Sequence, residues 1–222
     1  MSITLNIPKK KEITCDDYFF ISKGAIHMIK NLALRTEDFM TVGIYTSIYF
    51  ALLFTISLLG YIPIFNAILP ALIGIFGGVP FILFLAKTEK FGMITMSGII
   101  CGLIMMLMGG NGFYPLLTGL ICGFIADILF IKLKSSTFSM ILSFAVFSLW
   151  TIGLYLPIYL HRTTYFSNIT VQYGAEYANK LNNYIPDWTL FLFIVMTFAT
   201  SLIGGLIGTK LLTKHFKKSG IV

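Results

Sequence analysis

The chain has 222 residues, 57% of them hydrophobic and 11% charged, whereas a soluble globular domain carries about 25% charged and about 45–50% apolar residues. That composition excludes an ordinary soluble fold, and the length leaves no room beside a membrane domain for a second, soluble domain of usual size. The net charge of +7 lies in clusters between apolar stretches, which points to orientation in a membrane and away from a nucleic-acid-binding face.

Residues 1–36 read as a cytoplasmic N-terminal segment, basic and largely polar. It has no short apolar core ahead of a small-residue cleavage site, so it does not read as a signal peptide. Within it, residues 14–36 mix Tyr18, Phe19, Phe20, Ile21, Ile26, Met28, Ile29 and Leu32 with Lys23 and Lys30. That pattern predicts an amphipathic helix on the cytoplasmic leaflet, the alternative being a loosely ordered tail.

Residues 37–215 read as a six-helix membrane domain, with spans at about 40–62, 64–86, 91–108, 113–131, 137–160 and 188–211; residues 216–222 form a cytoplasmic tail. Each span is long enough, or nearly so, to cross a hydrocarbon core of about 30 Å as a helix. Inside lipid every backbone polar group must be satisfied within the structure, and the short alternating strands of a barrel are absent from the sequence. The expected class is therefore an all-α integral membrane protein. Pro70 and Pro80 mark places where the second span is expected to kink.

The connections set the orientation. Lys9, Lys10, Lys11, Lys23, Lys30 and Arg35 precede the first span, and Lys87 and Lys90 follow the second. Lys132 and Lys134 follow the fourth, and Lys210, Lys214, Lys217 and Lys218 close the sixth. With six spans these fourteen of the 16 basic residues face the cytoplasm, and only Arg162 and Lys180 lie outside. Both chain ends then lie inside, and 161–187 is the one long outer loop. This is the topology of a multi-pass protein of a cell membrane.

Small residues recur at spacing four: Gly43, Ser47 and Ala51; Gly74 and Gly78; Gly98 and Gly102; Gly119 and Gly123; Gly204 and Gly208. Such faces let helix backbones approach closely. For the last four pairs the expected use is packing within the chain's own bundle; for Gly43, Ser47 and Ala51 an external partner is an equal alternative.

Reactive motifs are scarce. There is no phosphate-binding GxxxxGK[ST] loop, no HExxH and no GxSxG. His27, His161 and His215 lie far apart, and Cys15, Cys101 and Cys122 show no short pairing, so neither a metal site nor a disulfide framework is expected. No catalytic residue and no resident cofactor is assigned. Asp127 alone lies clearly inside a span; such a carboxylate is a functional candidate, and the simpler reading pairs it with Lys132 or Lys134.

The outer end is richer. Asn111 and Tyr114 flank the third connection, Trp150, Tyr155 and Tyr159 lead the fifth span outward, and His161 and Arg162 begin the long loop. Aromatic bodies with a few polar groups suit a small-molecule pocket. An interfacial aromatic belt enriches tryptophan and tyrosine at the same depth and stands as the alternative.

Two stretches carry a resemblance: EDFMTVGIYTSIYFALLF at 37–54 and KTEKFGMITMSGIICGLIMMLMGGNGFYPLLTGLICGFIAD at 87–127. With the basic N-terminal segment, they resemble the Trep_Strep family, also described as MptD-type substrate-binding (S) components of energy-coupling factor (ECF) transporters. The likeness runs from about residue 37 to 215. It implies a non-enzymatic membrane subunit that captures a micronutrient outside. The substrate would be a vitamin, a vitamin precursor or haem, passed inward with a transmembrane coupling protein and two ATPase subunits. It also implies a coupling-protein contact at Gly43, Ser47 and Ala51, where the family's usual alanine pair is matched by size. For haem, His161, Tyr159 and Tyr165 would be the side chains near the iron. A stand-alone carrier or channel, or an intramembrane enzyme, remains the alternative function. Neither broken helices with buried charge nor a convergent set of acidic and histidine residues is visible in the spans.

Overall fold

The computed structural model describes residues 34–88, 90–109, 112–133 and 136–216. The expected amphipathic helix of residues 14–36 lies outside the described residues except for its last three positions, as do Lys134 and the end of the tail.

The first crossing is α1 (Thr36–Ser57), extended by one 3-10 turn at Leu58–Tyr61. Glu37 and Asp38 stand in its first turn, where the exposed N–H groups favour negative charge. Asp38 accepts a hydrogen bond from the Arg35 backbone N–H at 2.5 Å. The chain reverses at Ile62, which is extended, and Pro63 opens α2 (Pro63–Phe76) at a position where a missing N–H costs nothing.

The second crossing is divided. Pro70 sits inside α2 without ending it. Pro80 lies in the first turn of α3 (Gly78–Lys87) and cannot donate to the carbonyl four residues back, so the break falls just ahead of it, at Gly77. The third crossing, α4 (Met93–Leu107), has only 15 residues. It starts after Gly92, whose φ of 96° lies in the left-handed region open to glycine.

The fourth crossing is α5 (Tyr114–Lys132). In the fifth, α6 (Thr137–Ser148) tightens to a 3-10 stretch at Leu149–Leu154 and ends in the short α7 (Leu156–Leu160). The sixth is α10 (Thr189–Leu211), with a final π-helical turn at Leu212–Phe216. Five of these stretches are long and apolar enough to cross a membrane, and α4 is a shorter apolar helix beside them. Among the described residues there is no strand, and the protein is an all-α membrane protein.

Residues 161–187 are not the open loop expected from their polarity. They fold into α8 (Arg162–Tyr173) and α9 (Ala175–Tyr184), hinged at Gly174 with φ 89°. Local pattern explains it. On α9, Ala178 and Leu181 recur one turn apart and are buried, with Ile185 beyond them. Leu181 and Ile185 join Ile152, Tyr155, Ile158 and Phe193 in one apolar cluster at this end of the bundle.

Two kinds of packing hold the crossings together. One is an aromatic centre: Phe81 stacks on Phe147 at 4.2 Å between ring centroids, and Tyr49 meets both edge-on. The other is backbone-to-backbone contact through glycine. A Cβ built at Gly78 would run into the Gly204 backbone, and one at Gly98 into the Gly119 carbonyl. The four glycine pairs of the second, third, fourth and sixth crossings thus seal α2 and α3 against α10, and α4 against α5.

Candidate functional site

The ends of the bundle differ in character. At one end Lys90 Nζ lies 2.6 Å from Asp38 Oδ2, tying the start of α1 to the connection between α3 and α4. At the opposite end, roughly 30 Å away along α1 at 1.5 Å per residue, a cavity of about 380 Å³ opens. This is the outer end by the charge pattern. The volume falls in the range of small-molecule sites.

The cavity floor follows from a proline. Pro70 has no N–H, so the Asn66 carbonyl lacks its helical donor. The Tyr155 hydroxyl donates to that carbonyl at 3.0 Å. The Asn66 amide donates to the Tyr177 hydroxyl at 3.3 Å, and Tyr177 in turn donates to the Gly60 carbonyl at 2.5 Å. These bonds bind the first two crossings to α9 and fix the floor. The wall is a run of rings, with Tyr61 edge-on to Tyr173 at 5.9 Å and Tyr173 stacked on Tyr177 at 5.1 Å.

One face of α8 forms the remaining side. Tyr165, Asn168, Ile169, Gln172 and Tyr173 all line the cavity. Their spacing of three and four residues is that of a single helix face. The polar atoms of Tyr165, Asn168 and Gln172 make no hydrogen bond to any described residue. Burial pushes the Tyr165 hydroxyl up to about 12, so it stays protonated and able to donate.

Of the sequence-derived candidates, the structure brings Tyr155 and Tyr165 to the cavity. Trp150 is fully buried in the bundle, its Nε1 donating to the Tyr49 hydroxyl at 3.4 Å. The Tyr159 hydroxyl meets Thr189 Oγ1 at 2.7 Å. Tyr114 and His161 bond to each other, hydroxyl to Nε2 at 3.0 Å, away from the cavity lining. Arg162 grips the end of α9: it donates to the Ile185 carbonyl and to Asn182 Oδ1, each at 2.7 Å, and pairs with Asp187 at 2.9 Å. Asn111 lies outside the described residues. Asn66, Asn168, Gln172, Tyr61 and Tyr173 are not in the sequence-derived set; the periodicity of 165, 168, 169, 172 and 173 was the signal that could have found the α8 face.

Two further features concern function. Gly43, Ser47 and Ala51 stand apart from the other small-residue faces: a Cβ at Gly43 would meet nothing within 4 Å, and Ser47 and Ala51 are exposed. Asp127 is buried, and its partners among the described residues are not lysines. Its carboxylate accepts from the Ile94 N–H at 3.3 Å, the Thr95 N–H at 2.7 Å and the Thr95 hydroxyl. It therefore caps the first turn of α4, a task that Gly92 has no side chain to perform.

The family model described as "Hypothetical bacterial integral membrane protein (Trep_Strep)" matches residues 36–218, from the first turn of α1 to beyond the last helix. The chain belongs to the Trep_Strep family. No match was found among curated proteins or among solved structures. Membership makes the protein a multi-pass bacterial membrane protein. The matched region contains the whole cavity and the open face of α1 in this Trep_Strep protein.

Proposed function

We propose that the chain is the substrate-binding (S) subunit of an ECF-type importer. It takes up a small micronutrient at the outer end and depends on a transmembrane coupling protein and two ATPase subunits for energy. The observation that carries this reading is the half-open cavity, flanked by α8 and α9 at the end away from the basic clusters, with polar groups left over for a ligand.

Two observations support the dependence on partners. The sequence has no phosphate-binding loop, so the chain has no nucleotide site of that kind. Among the described residues a Cβ at Gly43 would meet nothing within 4 Å, and Ser47 and Ala51 are exposed, which leaves room for close approach by another helix. Binding without turnover is the expected behaviour of the isolated chain. Among the micronutrients considered, a vitamin or vitamin precursor suits the lining better than haem. Among the described residues neither His161 nor Tyr159 lines the cavity, His161 being bonded to Tyr114 and Tyr159 to Thr189, so that of the three side chains expected near an iron Tyr165 alone reaches it.

Proteoliposomes provide the test. The chain alone should bind but not accumulate solute, and uptake should require the coupling protein, both ATPases and ATP. Solute movement by the isolated chain would overturn the reading. A bulky replacement such as Ala51→Trp should reduce co-purification with the coupling protein while leaving ligand binding intact.

A further inference from the structure

The lining of the outer cavity restricts the chemistry of its occupant, taking as given the proposed role as a substrate-binding subunit. No aspartate, glutamate, lysine, arginine or histidine lines it among the described residues. The two undescribed positions next to Gly109 are Gly110 and Asn111, neither of them charged. Of the two cations on this side, Arg162 spends its donors on Ile185, Asn182 and Asp187, and Lys180 pairs with Glu176. A charged ligand entering here would lose water and gain no counter-charge, which strongly disfavours binding.

The aromatic wall adds shape. Tyr61, Tyr173 and Tyr177 run side by side, each ring already engaged with the next. They form one continuous wall and not a cage of converging faces of the kind that holds organic cations. Such a wall favours a flat, aromatic partner. The unspent groups supply the edge recognition: the Tyr165 hydroxyl donates, and the amides of Asn168 and Gln172 both donate and accept.

We propose that the cavity binds an uncharged, planar heteroaromatic molecule. Its face rests on the Tyr61–Tyr173–Tyr177 wall, and its donor and acceptor edge is read by Tyr165, Asn168 and Gln172. The apolar floor around Leu69 and Leu154 and the thioethers of Met105 and Met108 cover the rest of the ring system.

The experiment is calorimetric titration of the full-length chain in detergent with probes matched in shape and different in charge. One set is nicotinamide, nicotinate and 1-methylnicotinamide, the last a pyridinium cation. A larger pair is lumichrome and flavin mononucleotide, with haemin as the dianionic macrocycle. The neutral member of at least one set should bind, with its charged counterparts about tenfold or more weaker. Tyr173→Ala and Gln172→Ala should each weaken the neutral probe by about tenfold without moving the unfolding temperature. Should either variant fold poorly, Asn168→Ala, at an exposed position on the same cavity-lining face of α8, takes its place. Equal or tighter binding of an anion, a cation or haemin would overturn the proposal. So would the absence of binding by any neutral probe, or binding indifferent to the substitutions. ATP-dependent uptake of a charged solute with the coupling module would sink this ligand class and leave the subunit role standing. Neutral binding without any dependence of uptake on the module would do the reverse.

Discussion

The outer end of the bundle carries two polar clusters that look alike in the sequence and differ in the structure. Around Tyr114, His161 and Arg162, nearly every polar group has a partner in the chain: hydroxyl to imidazole, guanidinium to carbonyl, amide and carboxylate. Around Tyr165, Asn168 and Gln172 the polar groups line a cavity and have none. The first cluster is a clasp that holds α8 and α9 to each other. The second leaves its polar groups open to solvent or to a ligand. A polar residue near an active end is therefore informative only once its hydrogen bonds are counted.

The same contrast reaches into the membrane at Asp127, and the largest expected effect lies there. Its three hydrogen bonds cap α4 where no water can replace them. Asp127→Ala should cost about 2–4 kcal/mol, read as a lowered unfolding temperature in detergent. Asp127→Asn keeps an acceptor for Thr95 and should lose less. If Asp127→Asn instead kept full stability while abolishing ligand binding or uptake, Asp127 would belong with the unspent groups, and the distinction drawn here would break.

Next in size is Arg162→Ala. Its ion pair with a mostly exposed Asp187 adds little on its own. The bonds to the Ile185 carbonyl and to Asn182 matter more, giving an expected loss of about 1–2 kcal/mol. That loss should be local. Hydrogen exchange should quicken in α8 and α9 and stay unchanged in α4 and α5. Global destabilisation would mean that the clasp belongs to the bundle core and not to the cavity cover.

Much of the fold was legible from hydropathy and charge, since lipid permits few alternatives for an apolar run of this length. The glycine pairs were legible for the same reason: at spacing four, Gly74 and Gly78 or Gly98 and Gly102 can only open one helix face to a close neighbour. Three things escaped. Residues 161–187 carry too many polar side chains to stand out by hydropathy, although Ala178, Leu181 and Ile185 hold a helical stripe. The role of Asp127 depended on which helix start lies beside it, and no local pattern encodes that. The cavity floor joins Asn66 to Tyr155 and Tyr177, positions about 90 and 110 apart in the chain, so the link exists only after folding.

The smallest expected effect separates the clusters through pH. A cavity without charged side chains that binds an uncharged ligand has nothing to titrate near neutrality. Burial raises Tyr165 to about 12 and raises Tyr177 as well. For a group whose folded value is raised, the stabilisation is complete below the unfolded value and fades as pH climbs through the folded one. For Tyr165 that window runs from about 10, the ordinary tyrosine value, to about 12. Affinity for a neutral probe should therefore be flat from about pH 6 to pH 9 and decline only above about pH 10. A step near pH 6 to 7 would bring a histidine into the binding reaction. Such a step would overturn the reading of an uncharged ligand in a lining that, among the described residues, has no charged side chain.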